Sequence, residues 1–415
     1  MKGLHAFLTL LSISSTLLAR EVFPITDFGA RPDEPSTIEI QAAIDACADA
    51  GGGTVSIPPG TFFTGSLFLK ENVDLHLEAG AILKGSQQLE DYPKRPTRIE
   101  GHTTPWRMAL INASNLTQVR IWGDGTLDGD GEVFWKAFWK RRQENPRCTN
   151  LEVERPRLMF FDTCMGVTLE GIRLRNSGFW NLHLYRCQDV TVDGLDIFAP
   201  GEGSPVRAPS SDGIDIDSCQ RVTVRNTRIA TDDDCIALKG SKGPLADQDA
   251  ASPPVEDILV EDCEFARGHG VVTLGSEATL VRNVIVRRCK VGPGNQLIRL
   301  KLRPDTPQRY ENLLYEDIEL QGDRGSLFAV RPWTQFFDLQ GHQPPPSLVR
   351  HLTLRNVRGS YGSFGQLIGN PGDTLESITL ENIDITLKDP QLQCKNLKDA
   401  TAKQVRINHA DWTLP

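Results

Sequence analysis

Val167-Thr-Leu-Glu-Gly-Ile-Arg-Leu174 and Val190-Thr-Val-Asp-Gly-Leu-Asp-Ile197 are one eight-residue theme written twice, 23 residues apart. Val222-Thr-Val-Arg-Asn-Thr-Arg-Ile229 and Ile258-Leu-Val-Glu-Asp-Cys-Glu-Phe265 repeat it, and further copies begin at Val284, Leu313, Leu352 and Ile378. Each is an alternating β-run, often with Gly, Asn or Asp at its fifth position. Successive starts are 23, 32, 36, 26, 29, 39 and 26 residues apart. A short minimum period with variable extra length is the signature of a solenoid whose insertions fall in loops. Second strands precede several copies: Asn181-Leu-His-Leu-Tyr185, Gly213-Ile-Asp-Ile-Asp217, Cys235-Ile-Ala-Leu-Lys239 and Leu297-Ile-Arg-Leu-Lys-Leu302. Apolar residues recur at period two, so one face of every strand points inward. No helix of crossover length separates the strands, which excludes a doubly wound α/β sheet. The pattern predicts an all-β, single-stranded right-handed parallel β-helix.

Outward from the repeat, Thr37 to Ala50 reads as a helix. Ile38, Ile40, Ala43, Ile44 and Cys47 lie on one side, and Gly51-Gly52-Gly53 ends it. It is expected to cap the open end of the solenoid. The segments 91–107, 131–155, 240–256 and 331–348 read as long loops, and no linker marks a second domain. Residues 1–19, with Lys2, an apolar run from Ala6 to Leu18 and Ala19, read as an export signal, leaving 20–415 as one domain. The mature chain is therefore expected to be secreted or periplasmic, off the membrane, and monomeric. Asn112-Ala-Ser and Asn115-Leu-Thr are glycosylation sequons.

The 415 residues carry 45 basic and 54 acidic side chains, a net charge of −9. That balance argues against nucleic acid as a partner, because phosphate contacts need a basic face. An anionic substrate would require local positive charge. Nine cysteines do not form the spacing of a stapled scaffold. Cys164, Cys187 and Cys219 precede three copies of the repeat at one phase, and Cys263 and Cys289 share a second phase, which predicts interior stacking of thiols. No metal or other cofactor is expected.

Four polar clusters open or occupy consecutive coils: Ser210-Ser211-Asp212-Gly213, Thr231-Asp232-Asp233-Asp234-Cys235, Arg267-Gly268-His269-Gly270, and Arg299-Leu300-Lys301. Taken singly, each is a common solvated turn or a wet strand face. At matching phase on coils about 4.8 Å apart they form one column. Such a column suits glycosidic cleavage, which needs a carboxylic acid on the leaving oxygen and a carboxylate on the opposite face. Crowded carboxylates raise the pKa of at least one member. Arg299 and Lys301, two apart on a strand, project to the same side and could hold a sugar carboxylate.

The four motifs in this order resemble glycoside hydrolase family 28, the polygalacturonases and their relatives. The resemblance also takes in Asp27-Phe28-Gly29-Ala30, Gly52-Gly53-Thr54-Val55 and Gly123-Asp-Gly-Thr-Leu-Asp-Gly129. It implies Asp233 as general acid, Asp212 and Asp234 as the pair activating water with inversion, and His269 as keeper of the protonation state. It implies Arg299 and Lys301 as ligands of the substrate carboxylate, and pectin as the substrate. Ser210 and Leu300 stand where that family commonly has Asn and Ile. Rival readings are a rhamnogalacturonan or other pectic-backbone hydrolase, a calcium-dependent β-helix lyase, and a non-catalytic carbohydrate-binding β-helix. Trp106, Phe179, Trp180 and Trp333 are candidate stacking residues, with core packing the competing role. The loops 240–256 and 331–348 are expected to close one end of the groove and favour exo-action.

Overall fold

The computed structural model describes residues 20–201, 203–395 and 397–414; the expected export signal lies outside them. Parallel pairing runs through the chain as one column. Phe23 pairs with Val55, then follow Leu75, Ile121, Leu169, Val192, Val224, Val260, Val286, Tyr315, Leu354, Leu380 and Ala402. From Leu75 to Leu380 every member of the column is buried. Removing such side chains from water contributes about 1.5–3 kcal/mol each, so the inward column is the main stabiliser of the solenoid. The eight copies of the repeat stack in one register: Val167, Val190, Val222, Ile258, Val284, Leu313, Leu352 and Ile378.

The fifth position of the repeat has a physical reason. Gly171, Gly194, Asn226, Asp262, Arg288, Asp317, Asn356 and Asn382 all turn the corner with φ between 50° and 73°. Left-handed backbone is open to Gly and tolerated by Asn and Asp. Arg288 breaks the pattern, and its guanidinium is held against Asp262 at 2.8 Å and Glu261 at 2.7 Å. Asn382 and Asn356 extend a side-chain ladder along this corner, each amide donating to the coil before it.

The stacked thiols are as expected: Cys164, Cys187, Cys219, Cys263 and Cys289 are buried and free, and the Cys187 amide donates to the Cys219 sulfur at 3.2 Å. The helix α1 (Thr37–Asp49) covers the first coils through Ile40, Ala43, Ile44 and Cys47. Ile38 does not join that face and is 80% exposed, because it falls in the first turn on the solvent side. The Asn112 sequon is also corrected. Its side chain is buried and its amide donates to the carbonyls of Leu67 and Ala109, so it presents no acceptor at the surface.

Two of the four expected loops are regular. Residues 91–107 contain an antiparallel hairpin, Lys94–Ile99 with His102–Arg107. Residues 131–155 contain a second helix, α2 (Glu132–Glu144), so α1 is not the only one. Both elements pack on the outer face of the coil strands. Arg98 of the hairpin buries its guanidinium on Asp217 at 2.9 Å, and Trp135 of α2 donates to the Ser177 carbonyl at 2.9 Å. Residues that alternate outward on the strands are thereby buried a second time. No helix among the described residues is long and apolar enough to cross a membrane.

Candidate active site

The second strands of the coils pair in sequence: Ile214–Asp217, Ile236–Lys239, Gly270–Leu274, Gln296–Leu302 and Ser326–Pro332. The clusters opening them are joined by backbone hydrogen bonds. The Gly213 amide donates to the Asp234 carbonyl, Cys235 to Gly270, His269 to Asp233, and Gln296 to His269, all within 2.8–3.0 Å. All six expected site residues therefore come together. The glycines of Gly268-His269-Gly270 are required by close approach. A β-carbon on Gly268 would sit 2.4 Å from the Cys235 sulfur, and one on Gly270 would sit 2.2 Å from the Thr273 hydroxyl and 3.1 Å from an Asp234 oxygen.

Asp234 is fully buried beneath the surface of the site. It accepts from the Thr273 hydroxyl at 2.7 Å, from the Lys301 ammonium at 2.8 Å and from the Arg299 guanidinium. Burial opposes its charge, but Arg299 and Lys301 outweigh burial and hold its carboxyl well below the usual range. Asp233 is the accessible carboxylate, with its side chain 30% exposed. The His269 ring nitrogen lies 3.1 Å from it. Burial pushes the Asp233 carboxyl upward, yet His269 prevails and lowers it; the same contact raises the imidazole above its ordinary 6.5. Asp212 borders the cleft and is pushed up to about 6 by burial, with Lys239 opposing and Asp233 and Asp234 adding.

Lys239, Asp215 and Glu277 were not among the expected residues. The Lys239 ammonium lies 3.2 Å from Asp212, 3.3 Å from Asp215 and 3.8 Å from Glu277. Burial disfavours its charge, but these three carboxylates hold the ammonium firmly protonated. The signal was present: in Ile214-Asp-Ile-Asp and Ile236-Ala-Leu-Lys the polar residues alternate with core residues, as Arg299 and Lys301 do on their own strand.

A cleft of about 530 Å³ lies over this column. Phe138, Trp139 and Arg142 of α2 wall it on the side of the earlier coils, and Trp333, Gln335 and Phe336 on the side of the later ones. Trp139 is fixed by donating to the Arg207 carbonyl at 2.8 Å. The Trp333 ring covers Lys301 at 4.9 Å and Arg299 at 5.6 Å. Of the other candidate stackers, Trp106 and Phe179 are core, packed together with Ile99, while Trp180 belongs to that cluster and also faces the cleft over Lys239. The segment 240–256 supplies only Lys242 to the cleft wall.

The family model "Glycosyl hydrolases family 28" matches residues 47–405. The chain belongs to that family. It is a glycoside hydrolase, and the four motifs of the column lie within the matched residues. A probable polygalacturonase of Vitis vinifera is 31% identical over 380 residues, covering 88% of this chain and 74% of that protein. Among solved structures, an exopolygalacturonase from Thermotoga maritima matches with a TM-score of 0.74 at 23% identity, covering 91% of this chain and 92% of that one. A polygalacturonase from Erwinia carotovora ssp. carotovora matches with 0.71 at 21% identity over 96% and 100%. These two share the parallel β-helix fold.

Proposed function

We propose that this family 28 hydrolase is exported and cleaves α-1,4-galacturonosyl linkages of pectin, from chain ends and with inversion, acting as a monomer. The observation that carries the substrate class is the pair Arg299 and Lys301 at the site of an otherwise acidic protein. Their charge lies beside the carboxylates, where a uronate would sit, and the relatives named polygalacturonase agree with it.

Asp233 serves as the acid. In the free site it shares a proton with His269 at 3.1 Å. When a sugar covers its exposed edge, the carboxylate loses its solvating water, and burial favours the protonated form. The proton held by His269 then passes to Asp233 and on to the glycosidic oxygen as that bond breaks. Asp212, ionised above about 6, takes the proton of the attacking water, whose oxygen bonds to the anomeric carbon. Asp234 stands behind both, and its charge fixes Arg299 and Lys301 in place. Exo-action is supported by α2: Phe138, Trp139 and Arg142 line the cleft beside the Asp212 coil, where a longer chain would have to pass.

The test is digestion of polygalacturonate with a chelator present, reading product mass, ultraviolet absorbance and anomeric configuration together. Saturated monomer or dimer from the outset, first released as the β-anomer, is expected. Unsaturated ends would replace hydrolysis with a lyase reaction, and rapid chain shortening would replace exo with endo action. No product would move the substrate to a rhamnose-containing or substituted pectic backbone.

A further inference from the structure

Phe336 and Phe337 are 50% and 43% exposed, and no other phenylalanine among the described residues is exposed. Phe336 also has φ of +52°, the left-handed region that bulky side chains avoid at a cost of about 1–3 kcal/mol. A glycine would suit that backbone better, and a polar residue would suit the solvent better. The chain nevertheless fastens this position from beneath. The buried Arg303 guanidinium is paired with Asp305 at 2.7 Å and donates to the carbonyls of Gln335 and Phe336, at 3.4 and 3.1 Å. Asp305 in turn accepts from the Asp338 amide at 2.7 Å. A buried ion pair thus pins the loop on both sides of one exposed, strained aromatic residue.

Position along the axis says what the ring is for. Lys301 pairs with Arg331, so Trp333 and Phe336 belong to the coil beyond the substrate cations. Trp333 is occupied in covering Arg299 and Lys301; Phe336, three residues on, borders the same cleft with its ring unclaimed. Arg303 beside it is committed to Asp305. Resting on the hydrolase reading above, we propose that Phe336 is the platform of a further subsite, taking the apolar face of the pyranose ring next beyond the uronate held by Arg299 and Lys301. Because the contact is to a ring face, this subsite accepts that ring with its carboxylate free or methyl-esterified, whereas the Arg299 and Lys301 position demands a free carboxylate.

Calorimetry of di- and trigalacturonate on the Asp233→Asn protein isolates binding from turnover. The trimer is expected to bind more tightly than the dimer. Phe336→Ala should weaken the trimer about tenfold and leave the dimer unchanged, and Phe336→Trp should restore it. Phe336→Gly separates the platform from a structural role: it should melt at a higher temperature than the parent, since glycine accepts the backbone, yet lose the same trimer affinity. A trimer methyl-esterified on its terminal reducing-end ring should bind within about twofold of the free acid. Equal losses on dimer and trimer, or no loss on the trimer, would overturn the platform. Binding of neither sugar would overturn it together with the pectic reading. The predicted binding pattern without any turnover by the parent enzyme would leave the platform standing and remove only the hydrolysis assignment.

Discussion

At the scale of single residues, the site separates its carboxylates by what each one touches. Asp234 is neutralised by two cations, Asp233 by one imidazole, and Asp212 shares one ammonium with two other carboxylates. Asp233→Asn removes the transferable proton, so kcat should fall about 10²- to 10⁴-fold while the melting temperature stays close to that of the parent. A variant with near-normal turnover would remove Asp233 from the mechanism. The pH dependence follows from the same contacts. In the free enzyme kcat/KM should rise as Asp212 ionises through about 6 and fall as His269 loses its proton above its ordinary 6.5. The raised His269 pKa contributes stability fully present below 6.5 and lost as pH rises through the raised value. The raised Asp212 pKa withdraws stability as pH climbs from about 4 to about 6. Lys239 opposes the rise at Asp212, so Lys239→Met should move the acid limb of kcat/KM to higher pH, by about one unit or more. It should also cost about 3–5 kcal/mol, because Asp212, Asp215 and Glu277 lose their shared cation. An unmoved acid limb in a folded variant would mean that a group other than Asp212 sets it.

At the scale of elements, the inserted helix α2 borders the cleft, which puts the proposed mode of attack within reach of mutation. Trp139 stands in the cleft wall with its indole fixed on Arg207. Trp139→Ala, and more fully replacement of Glu132–Glu144 by a short Gly-Ser linker, should open the groove toward the earlier coils. Viscosity of polygalacturonate should then fall faster for each reducing end released; an unchanged ratio would mean that α2 does not set the mode of attack. The point variant keeps the test interpretable if the linker variant fails to fold. These inserts also mark how far the sequence could be read. The coil strands and their register were legible because they obey period two and recur at one phase, and the six candidate site residues because their clusters open or occupy consecutive coils; Arg299 pairs with Thr273, so the two cations lie further along their strand than the level that Asp212 and Asp234 share. The helix α2 was not, although Phe134, Trp135 and Phe138 are spaced to share a helical face. Lys136, Lys140, Arg141 and Arg142 dilute that pattern, and its apolar side is divided among three surroundings: Phe134 joins the solenoid core, Trp135 packs on Ala199 and Ala208, and Phe138 lines the cleft. The burial of Asp217 was illegible for a different reason. Its cover is Arg98, 119 residues earlier in the chain, and no local pattern encodes that distance. Lys239 lay between these cases: its outward alternation was present in the strand, but its partners became apparent only once the coils were stacked.

At the scale of the whole molecule, a solenoid couples each coil mainly to the coils above and below it, so the candidate site column inherits its alignment from its neighbours rather than from a shared central core. Val260 illustrates this. It is fully buried, pairs with Val224 on one side and Val286 on the other, and lies on the coil that carries His269. Val260→Ala should cost about 2 kcal/mol through two lost methyl groups and the space they leave. In a globular core that loss would be felt in every direction. Here hydrogen exchange should quicken in the strands around Val224, Val260 and Val286 and stay at the parent rate around Val55 and Leu75, several coils away. Turnover should fall with it, because Asp233 and His269 are held by backbone bonds between those same coils. Exchange that quickens uniformly along the chain would mean that the solenoid opens as one cooperative unit, and that the geometry of the site is set by the stack as a whole.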